Sequence, residues 1–199
     1  MEYQYSKKNH FKYAEKYQMT PFKNKEFLIE YKKSRERNLH EFDKKSDEIK
    51  YFKDIIFKTE KEKWKDIKNN SINTEKLLKF LFIEIIKKSK KSEILLNKII
   101  KKFEIKKKIF ESYDLEFKEK SKKDSNLKNY LLLSIICLFK YQKTKNLKFL
   151  NTSLKINDLI SSQQQKICNL DEISLYSFAI KKELEIIEII MIKKGVSND

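Results

Sequence analysis

The sequence predicts an all-α fold, and the first reason is its lack of turn-forming residues. The 199 residues include one glycine, Gly195, and one proline, Pro21. Two-residue β-hairpins need residues that tolerate positive φ, and β-sandwiches need many such corners. Apolar residues instead recur every three to four positions, which is the spacing of amphipathic helices. We therefore predict a single-domain irregular helical bundle, or a short stack of α-hairpins, with six or seven helices.

The composition is that of a folded chain. Hydrophobic residues make up 40% of it, which is enough for a buried core although 38% of the residues are charged.

We divide the chain into an N-terminal arm, residues 1–20, and one helical domain, residues 21–199. Within that domain a basic part, 21–124, precedes a near-neutral hairpin region, 125–199.

Capping residues mark the first two predicted helices. Thr20 and Pro21 form a start signal, because threonine caps a helix and proline is tolerated at its first position. This helix is predicted over 22–42. A second helix begins at 46–48 and carries its apolar stripe to Ile67, and the pair Asn69-Asn70 ends it, with asparagine in the left-handed position that glycine usually fills.

Five further helices are predicted along the rest of the chain, and the second helix of the hairpin described below is one of them. A third helix covers 74–88, and a fourth starts at 92–93 and keeps its apolar stripe as far as Phe117, with a break near 106–108 as the alternative. Ser125 is the expected cap of the fifth helix. The last helix runs from 171 to 193. No segment is a convincing strand. The apolar run 80–83 could be one by periodicity alone, but its length and the nearby capping residues favour a helix.

The longest stretch without a charged residue, 129–139, opens onto two apolar segments. The first is Tyr130-Leu-Leu-Leu-Ser-Ile-Ile-Cys-Leu-Phe-Lys-Tyr141, and after the link 142–146 the second is Leu147-Lys-Phe-Leu-Asn-Thr-Ser-Leu-Lys-Ile-Asn-Asp-Leu-Ile160. They predict two helices folded back on each other. The segment 130–160 resembles the α/α hairpins of toroid enzymes and of tetratricopeptide-type arrays. The resemblance implies helix-on-helix stacking and no activity.

The positive charge is unevenly distributed and consists almost entirely of lysine. The net charge of +17 divides into +18 for residues 1–150 and −1 for residues 151–199. Only Arg35 and Arg37 are arginines, against 44 lysines, and arginine is the residue that forks onto phosphates and guanine edges. A+T-rich coding explains much of the lysine, and solvated helix faces are the plain interpretation. The candidate basic face consists of Lys87, Lys88, Lys90, Lys91, Lys101, Lys102, Lys106, Lys107, Lys108, Lys122 and Lys123.

One group of polar residues is spaced as a ligand site would be. Asn151, Lys155 and Asp158 fall at i, i+4 and i+7 and share one helix face, with Asn157 beside them and Tyr141 across the hairpin. A carboxylate, a carboxamide and an ammonium that converge can hold a polar ligand. The alternative is an ordinary solvent-facing side of a helix.

Other constellations point away from metal, nucleotide and disulfide chemistry. Glu36, His40 and Asp43 share a helix face, but a metal needs three or four ligands in tight geometry, and a solvated face is the simpler interpretation. Cys137 is expected in the core and has no paired spacing with Cys168. No glycine-rich phosphate loop can form with a single glycine. We therefore expect no cofactor and no metal.

These observations predict a non-catalytic helical interaction or scaffold protein that offers its lysine-rich face to an acidic protein partner. Two alternatives stay open. One is sequence-independent binding of nucleic acid through residues 76–123, and the other is the small polar-ligand site on the 151–158 face. No secretory signal is visible at the N-terminus, and the uncharged stretch 129–139 is too short to span a bilayer, so we expect a cytoplasmic protein.

Overall fold

The computed structural model of the chain describes residues 25–42, 65–86, 91–162, 167 and 169–196. This described part is mostly helical, so the predicted all-α class is confirmed. Its six helices are α1 Lys25–Phe42, α2 Thr74–Ile86, α3 Lys91–Lys106, α4 Leu127–Thr144, α5 Leu147–Ser161 and α6 Leu170–Lys193. A small antiparallel sheet consists of β1 Lys65–Asp66, β2 Ser71–Asn73 and β3 Ser112–Tyr113, in the order β1-β2-β3.

Helix α4 is the centre of the fold because its uncharged part is buried on every side. Residues 129–138 are all buried, and a helix of this kind must be surrounded by other elements. Helices α2, α5 and α6 pack against it. The two predicted helices of the 130–160 segment are confirmed as α4 and α5.

A two-residue link turns α4 back into α5. Lys145 has φ +56°, and its N–H donates to the carbonyl of Tyr141 at 2.8 Å. Asn146 follows as the N-cap of α5, where its side-chain oxygen accepts from the N–H of Lys148 at 3.0 Å. Lysine therefore occupies the left-handed position at which glycine is usual.

Replacing Lys145 with glycine is expected to raise the free energy of unfolding by about 0.5–1 kcal/mol, because glycine adopts the left-handed conformation without side-chain strain. Lys155 is exposed within α5, and Lys155→Gly is the matched control. It is expected to lower the same free energy by about 1 kcal/mol. Urea unfolding of both variants tests the difference, and effects of the same sign would contradict it.

The predicted ends of two helices are wrong. The second predicted helix does not reach Ile67, since β1 precedes that residue and Ile67 lies in a turn where it is 72% exposed. Asn70 does adopt φ +47°, but it closes the turn between β1 and β2 rather than a helix. The extension of the fourth helix to Phe117 is also wrong. Helix α3 stops at the predicted break, where Lys107 has φ +55° and donates to the carbonyl of Phe103 at 2.7 Å.

The prediction of no strand was wrong at the small sheet, because its strands of two or three residues are too short to show a period. Segment 107–126, which connects α3 to α4, packs by its aromatic rings instead of a helical stripe. Tyr113 is fully buried, with its ring centroid 5.9 Å from that of Phe117 and 6.2 Å from that of Phe110. Asn126, one residue beyond the predicted Ser125, is the N-cap of α4.

Helix α1 packs across α6 through a second, smaller apolar cluster. The predicted helix 22–42 is confirmed over 25–42. The cluster places α1 over the α5–α6 side of the fold, and its members are Leu28, Tyr31, Leu138, Leu150, Leu154, Ile186, Ile187 and Met191. The predicted arm, 1–20, and the start of the second predicted helix at 46–48 lie outside the described residues.

Candidate functional site

A cluster of buried polar side chains lies where α1, α4, α5 and α6 meet. Each member is at most 7% exposed except Asp158, whose side chain is 29% exposed. Charges and hydroxyls are rarely buried to this degree unless they are paired. The members, called the ionic cluster from here on, are Tyr31, Arg35, Ser134, Ser153, Asn157, Asp158, Ser161, Tyr176 and Glu183.

The guanidinium of Arg35 is the hub of the ionic cluster. Its Nε donates to Oε1 of Glu183 at 3.4 Å, and one terminal nitrogen donates to Oγ of Ser161 at 2.8 Å. The other terminal nitrogen donates to Oδ1 of Asp158 and to the hydroxyl of Tyr31. All three nitrogens are therefore used, in a fork that a lysine cannot reproduce.

Glu183 is the most deeply buried charge of the cluster. Its Oε1 accepts from the hydroxyl of Tyr31 and from Arg35, and its Oε2 accepts from Nδ2 of Asn157 at 2.6 Å. Burial removes this carboxyl from water and raises its pKa above the usual value, against the opposing effect of Arg35. Burial also raises the pKa of Tyr31. For Arg35 burial acts downward, but the charge of Glu183 and its neighbours raises the pKa well above the ordinary value.

The charges within the ionic cluster do not balance. Two carboxylates, those of Asp158 and Glu183, face the single guanidinium of Arg35. Asp158 reaches solvent with part of its side chain, whereas Glu183 is fully buried. The cost of holding the excess negative charge therefore falls on Glu183, since an ion without contact with water loses its hydration.

Serine hydroxyls complete the hydrogen bonds around the charges. Oγ of Ser161 donates to the carbonyl of Asn157 at 2.7 Å and accepts from Arg35, and it lies 2.9 Å from the hydroxyl of Tyr176. On the other side, Ser134 donates to Oδ1 of Asn157 at 2.7 Å. A hydroxyl has one donor and two acceptor sites, so Ser161 is saturated. The hydrogen bonds of the ionic cluster therefore connect four helices.

The structure brings together two of the five residues predicted on the polar face. Asn157 and Asp158 both belong to the ionic cluster. Lys155 is exposed, and Tyr141 is half-buried where the two apolar clusters meet. Asn151 is half-buried too, and its Oδ1 has no hydrogen-bond partner among the described residues. The polar-ligand site therefore stays a prediction.

Sequence reasoning missed the partners that come from other helices. Arg35 carried a signal, because it is one of two arginines among 46 basic residues. Glu183 carried another, since it falls on the same side of α6 as Tyr176, Ile180 and Ile187, at i, i+4, i+7 and i+11. A carboxylate on an otherwise apolar stripe predicts a buried partner.

The lysines of the predicted basic face have different surroundings. Lys102 is paired with Glu119 at 3.4 Å and Lys123 with Glu111 at 3.6 Å. Lys87, Lys88 and Lys90 lie outside the described residues, as does the side chain of Lys91. Five lysines are exposed and make no ion pair with a described carboxylate, and they are called the lysine face from here on: Lys101, Lys106, Lys107, Lys108 and Lys122.

Segment 107–126, which carries most of the lysine face, is tied to the core. The N–H of Ile109 donates to the hydroxyl of Tyr130 at 2.9 Å, and that hydroxyl donates to Oδ1 of Asp124 at 2.5 Å. The N–H of Thr74 donates to the carbonyl of Glu111 at 3.2 Å. The lysines are therefore presented by a fixed surface rather than by a free loop.

The remaining candidate residues show no metal or thiol site within the described ranges. Glu36 and His40 are exposed on α1, Glu36 pairs with Lys32 at 3.5 Å, and Asp43 lies outside the described part. No group of three His, Cys, Asp or Glu residues in that part is placed to hold a metal ion. Cys137 is buried and unpaired, and burial raises the pKa of its thiol. Cys168 is not among the described residues.

The chain matches no protein-family model, no curated protein and no solved structure. The resemblance of the 130–160 segment to toroid and tetratricopeptide-type hairpins is therefore still a prediction. None of the described helices is both long and apolar enough to pass through a bilayer. The fold and the ionic cluster define the class of the protein as an all-α protein with a charged, hydrogen-bonded core and a fixed patch of exposed lysines.

Proposed function

We propose that the protein is a non-catalytic helical interaction module that binds an acidic protein partner through the lysine face. The observation that carries the proposal is a contrast between two sets of charges. The polar groups of the ionic cluster hydrogen-bond to one another, whereas the five lysines of the lysine face are exposed and none of them forms an ion pair with a described carboxylate. Unpaired charges of one sign attract partners of the other sign.

Local helix electrostatics explain only part of the lysine face. Lys106, Lys107 and Lys108 stand at the C-terminal end of α3, where positive charge is favoured by the helix dipole. Lys101 lies more than a turn before that end, and Lys122 belongs to the following segment. Lysine is a point charge without the fork of arginine, and it suits scattered carboxylates better than paired phosphate or base contacts.

The triple variant Lys101→Glu, Lys106→Glu, Lys108→Glu tests the proposal. A fluorescently labelled poly-glutamate chain serves as the acidic probe, and binding is followed by fluorescence anisotropy at about 50 mM salt, where screening is weak. The variant is expected to bind at least about tenfold more weakly than the parent, because three attractions become repulsions.

A matched control separates the lysine face from overall charge. Lys68, Lys148 and Lys193 are also exposed, and their replacement by glutamate lowers the net charge by the same amount. This control is expected to retain most of the affinity. Equal losses in the two triple variants would contradict a defined face.

The nucleic-acid alternative uses the same lysines and is tested in the same assay. A labelled oligothymidine of about 20 nucleotides that bound more tightly than poly-glutamate, with an affinity that collapsed as salt rose, would favour it. The polar-ligand alternative has less support, because Asp158 is engaged by Arg35.

A further inference from the structure

The outer surface of α3 carries four exposed residues in a single line. Ile94, Lys98, Lys101 and Ile105 occur at i, i+4, i+7 and i+11, so they share one side of the helix, and they are called the outer stripe from here on. Ile94 is 66% exposed and Ile105 is 63% exposed. The opposite side of α3 is its buried side, formed by Leu96, Ile99, Ile100 and Phe103.

The outer stripe combines positive charge with apolar surface and has no carboxylate of its own. The two isoleucines are about 16 Å apart along the helix axis, and the two lysines lie between them. Nζ of Lys98 lies 5.0 Å from the ring centroid of Phe117, a contact that positions the ammonium without neutralising it. Glu93, beside the stripe, is held by Lys140 at 2.8 Å.

We propose that the outer stripe docks an acidic amphipathic helix of a protein partner. Carboxylates of that helix would face Lys98 and Lys101, and its aliphatic side chains would cover Ile94 and Ile105. The inference rests on the proposed function and adds the chemistry of the partner. Charge complementarity selects an acidic segment, and the isoleucines select one with apolar side chains about three helical turns apart.

Three other occupants fit the outer stripe less well. A membrane surface needs a wide apolar helix face, and two isoleucines do not form one. A nucleic-acid backbone presents mainly phosphates and sugar oxygens, with little apolar surface to cover the isoleucines. A second copy of this chain has glutamates near Ile189 and Ile192 on α6, but Glu185 pairs with Lys182 at 2.7 Å and Glu188 with Lys32 at 3.2 Å. Two copies that each carry a net charge of +17 also repel each other.

Two synthetic helical peptides of equal length and equal charge test the inference. Both carry glutamates at two central positions, and their outer positions hold leucine in one peptide and alanine in the other. Binding of each labelled peptide to the full chain is measured by anisotropy at about 50 and about 300 mM salt. The leucine peptide is expected to bind at least about fivefold more tightly, and this ratio is expected to persist at the higher salt because apolar contacts are not screened.

The double variant Ile94→Ser, Ile105→Ser is expected to lose the preference for leucine and to keep the weaker, salt-sensitive binding of both peptides. Ile67→Ser, Ile192→Ser is the control, since these isoleucines are 72% and 75% exposed elsewhere. It is expected to keep the preference. All four residues are exposed, and circular dichroism verifies that each variant remains helical.

Several results would overturn the inference. These are equal binding of the two peptides by the parent chain, no binding of either, or a leucine preference that survives in the Ile94/Ile105 variant. If phosphatidylserine vesicles or oligothymidine bound more tightly than the peptides, and this binding depended on Ile94 and Ile105, the ligand of the outer stripe would be a membrane or a nucleic acid. Self-association abolished by Ile94→Ser would assign it to a second copy. Loss of poly-glutamate binding in the lysine-face variant would still support the proposed function, unless oligothymidine were the tighter ligand.

Discussion

Replacing Arg35 with methionine is expected to lower the free energy of unfolding by about 3–5 kcal/mol at neutral pH. The substitution keeps a long side chain on α1 but removes the only cation that contacts Glu183 and Asp158 within the ionic cluster. It leaves a fully buried carboxylate without its ion partner, and the cost of such an uncompensated charge is large. Urea unfolding followed by far-ultraviolet circular dichroism measures the change.

The other arginine of the chain is the natural control. Arg37 lies on the same helix but is exposed, and its Nε donates to the carbonyl of Lys33 at 3.3 Å. Arg37→Met is expected to change the free energy of unfolding by no more than about 0.5 kcal/mol. Comparable losses in the two variants would show that helix propensity or general charge, and not the ionic cluster, causes the effect. Arg35→Lys keeps the charge without the fork and is expected to fall between them.

Replacing Glu183 with glutamine is expected to change how stability depends on pH. In the folded chain burial raises the pKa of Glu183 above its usual value of 4.5. Compared with the unfolded chain, the fold therefore binds this proton more tightly, and the stability that the proton contributes is fully present below pH 4.5. That contribution is lost as pH rises through the folded pKa. Glutamine does not titrate, so the variant has no such loss of stability as pH rises.

The free energy of unfolding of Glu183→Gln, minus that of the parent, should therefore increase as pH rises above 4.5. Its slope is limited to about 1.4 kcal/mol per pH unit for a single group. Urea unfolding at a series of pH values measures this difference, in which contributions of other titrating groups largely cancel. A difference that stayed constant or fell between pH 4.5 and 8 would contradict a raised pKa for Glu183.

The hydrogen bonds of the ionic cluster can adapt to the glutamine. In glutamine an NH2 group replaces one carboxylate oxygen. If it replaces Oε2 of Glu183, it meets the NH2 group of Asn157, and the two donors are compatible only when the Asn157 amide turns over. Such a turn is compatible with Ser134, because its hydroxyl can accept as well as donate and also lies 2.7 Å from that of Ser153. The Arg35 guanidinium keeps Asp158 as its ion partner. The variant is therefore expected to remain folded.

The ionic cluster explains how α1 is held in one position. The apolar contacts of Leu28 and Tyr31 would tolerate some sliding of the helix, because dispersion and hydrophobic contacts are not directional. The fork of Arg35 fits only where Glu183, Asp158 and Ser161 converge. A buried ion pair is weak evidence for added stability, and setting the register of a helix is the use of such pairs that has the best support.

The sequence indicated single polar residues of the site and missed their partners for a physical reason. Asn157 and Asp158 stood out because helical spacing relates neighbours on one face. Asp158 meets Arg35 across 123 positions of sequence, and no local pattern records such a contact. Two features of the sequence still indicated buried charges: arginine is rare in the chain, and Glu183 lies on an otherwise apolar stripe of α6.

The sequence by itself determined the helical class and the α4–α5 hairpin, because apolar period, capping and turn chemistry act over a few residues, but it left two possible ends for α3. Tertiary structure alone decided that Ile67 stands in an exposed turn and that Phe117 packs on Tyr113 instead of extending a helix. It also decided which charges are buried together and which lysines remain in solvent. Burial depends on how distant segments pack, and the free energy of a charge depends on whether water or an opposite charge surrounds it.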